Sequence, residues 1–115
     1  MSANRAKSRS ILPRPDVLDE MIAEATVDCY NDAEMATALL LAIQENRGLP
    51  FCTQILGLTM HVTAVDVNEA GEITALCTYG SQRQRIPLVD LPLPIPAPAG
   101  AQWIAAYRRW AALRC

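Results

Sequence analysis

Asp28, Asp32 and Glu34 are the residues of this chain whose types and spacing best suit chemistry. They crowd the stretch Val27-Asp28-Cys29-Tyr30-Asn31-Asp32-Ala33-Glu34, where one helix is expected to give way to the next. A bend at such a junction can turn nonadjacent carboxylates toward one point. Their mutual repulsion would be relieved by a cation. Calcium, a hard ion that takes about six to eight oxygen ligands, suits such a set. The alternative is that Asp32 and Glu34 only favour the positive end of the second helix while Asp28 is solvated.

Other polar groups offer less. Asp66-x-Asn68-x-x-Gly71-Glu72 partly imitates an EF-hand loop, but Ala70 stands where an oxygen ligand belongs and Cys77 where the bidentate Glu belongs. A hairpin turn explains Asn68 and Gly71 as well. His61 has no His, Cys or carboxylate at ligand spacing, and Ser8 and Ser81 lack a recognisable base partner, so nucleophilic catalysis finds no support. Glycine-rich phosphate motifs are absent, and the expectation is a protein that is not an enzyme. Cysteines stand alone at Cys29, Cys52, Cys77 and Cys115, without a Cys-x-x-Cys pair. A zinc site wants clustered soft ligands and is disfavoured. Cys29, Cys52 and Cys77 lie in apolar segments and read as small core residues of a protein in a reducing cytosol. Cys115 is expected to be an exposed free thiol.

With 115 residues, 51% of them apolar and 19% charged, the chain suits one domain with one core. The net charge is −2, but the charges are segregated. Arg5, Lys7, Arg9 and Arg14 precede any acid. Asp16, Asp19, Glu20, Glu24, Asp28, Asp32 and Glu34 then follow without a base, and Arg108, Arg109 and Arg114 lie near the C-terminus. A solvated tail beside a solvated helical face accounts for this pattern, as does a partner-binding arm beside a cation-attracting surface. The N-terminus lacks the apolar core of a signal peptide, and no apolar run is long enough to span a bilayer, so a cytoplasmic location is expected.

The elements that must position these residues follow from periodicity. Residues 1–12 read as a flexible basic arm and residues 13–115 as one domain, with two helices within 15–47. Pro15 suits a first helical position, and Leu18, Met21, Ile22, Ala25 and Cys29 recur at helical spacing. Asn31-x-x-Glu34 resembles a capping box for a helix through Ile43, with Gly48 as its C-terminal cap and Pro50 as a stop. From Cys52 the pattern turns to strands, at Cys52–Leu56, Met60–Val67, Glu72–Tyr79 and Gln84–Val89. Four consecutive short strands over 52–91 predict an antiparallel meander curled into a small SH3-like β-barrel. Alternating prolines make 92–99 a stiff connector. A last helix over 100–113 should place Trp103, Ala106, Tyr107 and Trp110 on one face against the barrel.

Val27-Asp28-Cys29-Tyr30, Glu34, Leu49-Pro50-Phe51, Ile86-Pro87-Leu88, Leu91 and the terminal helix around Trp110 follow one another in a telling order. Over roughly residues 18 to 112 the chain resembles the small bacterial and phage calcium-binding proteins of the cyanobacterial CcbP type. The resemblance implies an acidic helix, an amphipathic helix, a Pro-Phe hinge, a small barrel and a Trp-rich terminal helix. It also implies calcium as ligand. The chain departs from the family in the aliphatic Met35, Leu39, Leu40 and Leu41 of its second helix, where aromatic residues are usual, and in its weaker acidity. Ala106-Tyr107 stands where an Asp-Trp pair is typical.

The sequence thus predicts an α+β fold and a non-enzymatic cytosolic binding protein for calcium buffering or regulation, with Asp28, Asp32 and Glu34 as metal ligands. The alternative is a protein–protein interaction module, such as a phage or mobile-element inhibitor of a host complex. A third reading is a small nucleic-acid-binding barrel using Arg83, Arg85 and Tyr79. Few aromatics and a net negative charge disfavour it. The sequence specifies no oligomeric state.

Overall fold

In a computed structural model that describes residues 12–46, 50–95 and 97–114, three α-helices pack with one four-stranded antiparallel sheet. The elements are α1 (Pro15–Ala25), α2 (Asp32–Glu45), β1 (Phe51–Ile55), β2 (Leu58–Val67), β3 (Ile73–Tyr79), β4 (Gln82–Pro87) and α3 (Ala101–Leu113), with a 3-10 turn at Leu88–Asp90 before the connector. The expected arm over residues 1–11, the Gly48 cap, Leu49 and Cys115 lie outside the described residues. Leu12, the last residue of that expected arm, is half-buried against Leu18, Ala105 and Ala106.

Pro15 opens α1 as its missing N–H allows, and Asp16 lies in the first turn. The helix stops at Ala25 and does not reach Cys29 as its periodicity suggested. Thr26 ends it, because the Thr26 hydroxyl donates to the Ile22 carbonyl at 2.7 Å while its own N–H bonds the same oxygen. Asn31 caps α2, accepting from the Glu34 N–H at 2.9 Å. Ala36, Leu39, Leu40 and Ile43 then fall at helical spacing and are buried. Complete burial of a side chain such as Leu39 contributes about 1.5–3 kcal/mol.

The strands run in the order β1-β2-β3-β4. Leu56 and Gly57, both at positive φ, form the tight turn from β1 to β2, so β2 begins at Leu58, earlier than the sequence suggests. A register shift between Val62 and Ala64 inserts one residue into β2. Met60 and Val62 before it, and Val65 and Val67 after it, therefore all reach the core face. They meet Cys77, Ala75 and Ile73 of β3 there.

Among the described residues the sheet does not close into the expected small SH3-like barrel: it is an open meander whose outer strands, β1 and β4, are not neighbours. Proline marks where the fourth strand stops. Pro87 carries no N–H to extend a ladder, and beyond it the backbone leaves the sheet in the 3-10 turn, where Leu88 is fully buried. The fourth strand accordingly ends at Pro87, not Val89. The connector then passes β1, where the Thr53 hydroxyl donates to the Pro92 carbonyl at 2.5 Å. A loop thus lies along β1 where a barrel would need a ladder.

Helices α2 and α3 cover the sheet's apolar face, and Tyr107 and Trp110 of α3 enter the main core. The Tyr107 hydroxyl accepts from the buried Ile73 N–H at 3.1 Å, tying α3 to the first residue of β3. Trp103 is only half-buried. Gly100 begins α3 at φ 83°, with its α-carbon turned toward the end of α2. Helix α1 packs on the other side of α3 through Leu18, Ala105 and Ala106. Arg109 and Asp19 clamp the pair with two bonds, at 2.6 and 3.0 Å.

Candidate functional site

The α1–α2 junction is built from backbone needs first. After Thr26 closes α1, Cys29 N–H returns to the Thr26 carbonyl at 3.0 Å, and the chain turns into the Asn31 cap. Glu34 reaches back and accepts from the Tyr30 N–H at 2.8 Å, so its carboxylate holds the entry to α2. Asp32 pairs with Arg114 at the far end of α3. Asp28 is exposed. Among the described residues no group of three His, Cys, Asp or Glu side chains converges. The three acids share one connection and two helix ends, and each faces a different task. Two large apolar side chains accompany them, Val27 at 76% exposure and Tyr30 at 92%.

Arg114 is the residue that sequence reasoning missed. Its guanidinium pairs with Asp32 and lies 4.9 Å from the centre of the Trp110 ring. Only the segregation of acids toward one end and arginines toward the other signalled such a link. Arg109 follows the same pattern: its hydrogen bond holds the Asp19 carboxyl below its ordinary value, and Asp19 in turn raises Arg109. Arg108 instead turns inward. It donates through Nε to the Leu88 carbonyl at 3.1 Å and through Nη2 to the Leu91 carbonyl, and burial lowers its affinity for its proton.

Beside Arg114 lies a groove of about 680 Å³ between α3, the start of α2 and the β2–β3 turn. Ile73, Pro87, Val89 and Ala111 supply apolar walls. Asp32, Glu72, Arg108 and Arg114 supply two charges of each sign. Trp110 also lines it, with 9% of its surface exposed. The Trp110 Nε1–H is buried and has no hydrogen-bond partner among the described residues.

The remaining candidates resolve more simply. Asn68 Oδ1 accepts from the N–H groups of Ala70 and Glu72, both at 2.9 Å, which makes the EF-hand-like segment a side-chain-stabilised turn. Cys52 is exposed and not a core residue, because it alternates outward between Phe51 and Thr53. Strand pairing sets it opposite His61, with Sγ 3.4 Å from Nδ1, a neighbour that linear spacing could not reveal. Cys77 is buried as expected, and burial pushes its thiol pKa up. Cys29 is half-buried. Arg83 and Arg85 are exposed on β4, with Gln84 between them. No helix of the described residues is long and apolar enough to cross a membrane.

No family model matches the chain, and no curated protein does. Among solved structures, the crystal structure of Anabaena CcbP matches it with a TM-score of 0.70 and 17% identity, covering 90% of this chain and 95% of that one. The chain therefore shares the CcbP-type fold expected from the order of its short motifs.

Proposed function

We propose that this domain is a non-enzymatic binding protein that takes up calcium at the α1–α2 junction through Asp28, Asp32 and Glu34. The observation that carries the proposal is the CcbP-type fold, shared over 90% of the chain. The acidic run from Asp16 to Glu34, which contains no base, adds electrostatic support. Uptake has a structural cost here. Calcium must displace Arg114 from Asp32, share Glu34 with the cap of α2, and recruit the solvated Asp28. A site that is not preassembled binds weakly, with a dissociation constant on the order of 10⁻⁴ to 10⁻³ M. Magnesium, which gives up its water reluctantly and demands a tighter shell, binds more weakly still. Calorimetric titration of the full chain with each ion is the test. Saturable calcium heat that disappears in Asp28→Asn/Asp32→Asn supports the proposal; equal heat in that variant places any site elsewhere.

A second reading, a protein-interaction module, is favoured by the exposure of Val27 and Tyr30 on the same connection. In that case Tyr30→Ala weakens capture of a protein partner and leaves calcium binding unchanged.

A further inference from the structure

We propose that Cys52 and His61 form a modification site on the open face of the sheet, where the Cys52 thiol exchanges with a small organic disulfide. Such chemistry needs a sulfur within reach of its reagent and a base within reach of the sulfur. Cys52 is exposed on β1, and the exposed His61 stands directly opposite it on β2. Sγ lies 3.4 Å from Nδ1. In the tautomer that carries its proton on Nε2, His61 offers Nδ1 as an acceptor for the thiol proton. Strand pairing fixes both backbones, so the contact does not depend on a loop. The other described cysteines are less open, with Cys77 buried and Cys29 half-buried. His61 is the one histidine of the chain.

The surroundings suit a thiolate and its reagent. Strand pairing sets Cys52, His61, Thr78 and Arg83 in one row from β1 to β4. Arg83 is the only other charged side chain of that row, and no carboxylate stands in it to repel an anionic sulfur. Beside Cys52, a cleft of about 490 Å³ opens between the outward Gln54 and Thr59 and the connector. Pro92, Leu93, Pro94 and Ile95 give it an apolar wall, and no charged side chain among the described residues lines it. It has room for the uncharged body of a disulfide. In the exchange, Cys52 Sγ gives its proton to His61 Nδ1 and attacks one sulfur of the reagent. The reagent's S–S bond breaks as the new S–S bond forms. The Cys52 sulfur is oxidised, and the departing sulfur is reduced and leaves as a thiolate that takes up the proton from His61. The site shares no residue with the acidic junction, so it stands whether or not calcium binds there.

The test is the rate of mixed-disulfide formation on the full chain with hydroxyethyl disulfide, resolved for each cysteine by mass spectrometry of its peptides. At neutral pH, Cys52 should react roughly threefold faster in the unaltered chain than in His61→Gln. The factor is small because a stabilised thiolate is more abundant but less nucleophilic. The advantage should be gone by about pH 9.5, where an ordinary thiol, with a pKa of about 8.5, ionises unaided. Cys52 should also react faster than Cys29 and Cys77 throughout. Equal Cys52 rates in the two proteins at neutral pH, or an advantage that persists undiminished at high pH, would overturn the proposal. So would a Cys52 slower than Cys29 in the unaltered chain, a comparison that needs no variant to fold.

Discussion

Trp110 joins three properties in one side chain: it fills the core, carries the Arg114 guanidinium, and holds a buried donor without a partner among the described residues. Those properties separate two substitutions. Trp110→Ala removes a packed ring and should destabilise the domain by about 3–5 kcal/mol. Trp110→Phe keeps an aromatic body and deletes a polar group that gains nothing in the fold, so its cost should be only about 1–2 kcal/mol. Urea unfolding followed by circular dichroism measures both, and equal losses would contradict the unpaired indole. Asp19 gives a pH signature. Its folded pKa lies below its ordinary value of 3.8 because Arg109 bonds it. The stabilisation is therefore present above that ordinary value and is lost as pH falls through the lower, folded one. Asp19→Asn should lower the melting temperature at neutral pH and converge with the unaltered chain in strong acid. At this scale the burial of Trp110, the cap at Asn31 and Glu34, and the acidic junction were legible in the sequence. The pairings of Arg114 with Asp32, Arg109 with Asp19 and Cys52 with His61 were not, because each depends on tertiary or cross-strand placement.

The start of α3 and the end of α2 approach closely. A Cβ at Gly100 would sit 2.8 Å from the Asn46 carbonyl oxygen, and its φ of 83° already disfavours any other residue. Gly71 has nearly the same φ, 84°, but open space around it. Gly71→Ala should thus report backbone strain alone, about 1 kcal/mol. Gly100→Ala should cost more, about 2–3 kcal/mol, by adding the clash at the end of α2. Matched thermal melts decide it, and equal shifts would mean that the α2–α3 contact yields freely. Helix periodicity, the cap at Asn31 and the turn at Asn68–Gly71 made most elements readable. The exceptions have local causes: Thr26 ends α1 by its own hydroxyl, the extra residue near Thr63 re-aims β2, and Pro87 turns the end of a strand into a 3-10 turn. Each is a hydrogen-bond choice that an apolar pattern does not record. The barrel expectation failed for the same reason, since strand count says nothing about whether the outer edges meet.

Across the whole molecule, one open sheet is roofed by α2 and α3, with α1 clamped outside, and the acidic junction faces the C-terminal arginines. This layout turns a segregated charge pattern into a single linkage: Asp32 of α2 holds Arg114, and Arg114 rests on Trp110. The CcbP-type fold could be read from motif order, and the match to Anabaena CcbP accords with that reading. The pairing of Asp32 with Arg114 could not, since a carboxylate in a run of acids does not disclose whether an arginine will reach it. A calcium titration of the full chain, followed residue by residue by ¹H–¹⁵N NMR, tests the proposed cation site most directly. The account predicts saturable shifts confined to residues 26–34 and to the Arg114 and Trp110 signals, released together as calcium takes Asp32. It also predicts their loss in Asp28→Asn/Asp32→Asn. No shift up to about 10 mM calcium, well above the weakest affinities of protein calcium sites, would contradict it, and so would shifts centred on the 66–72 turn.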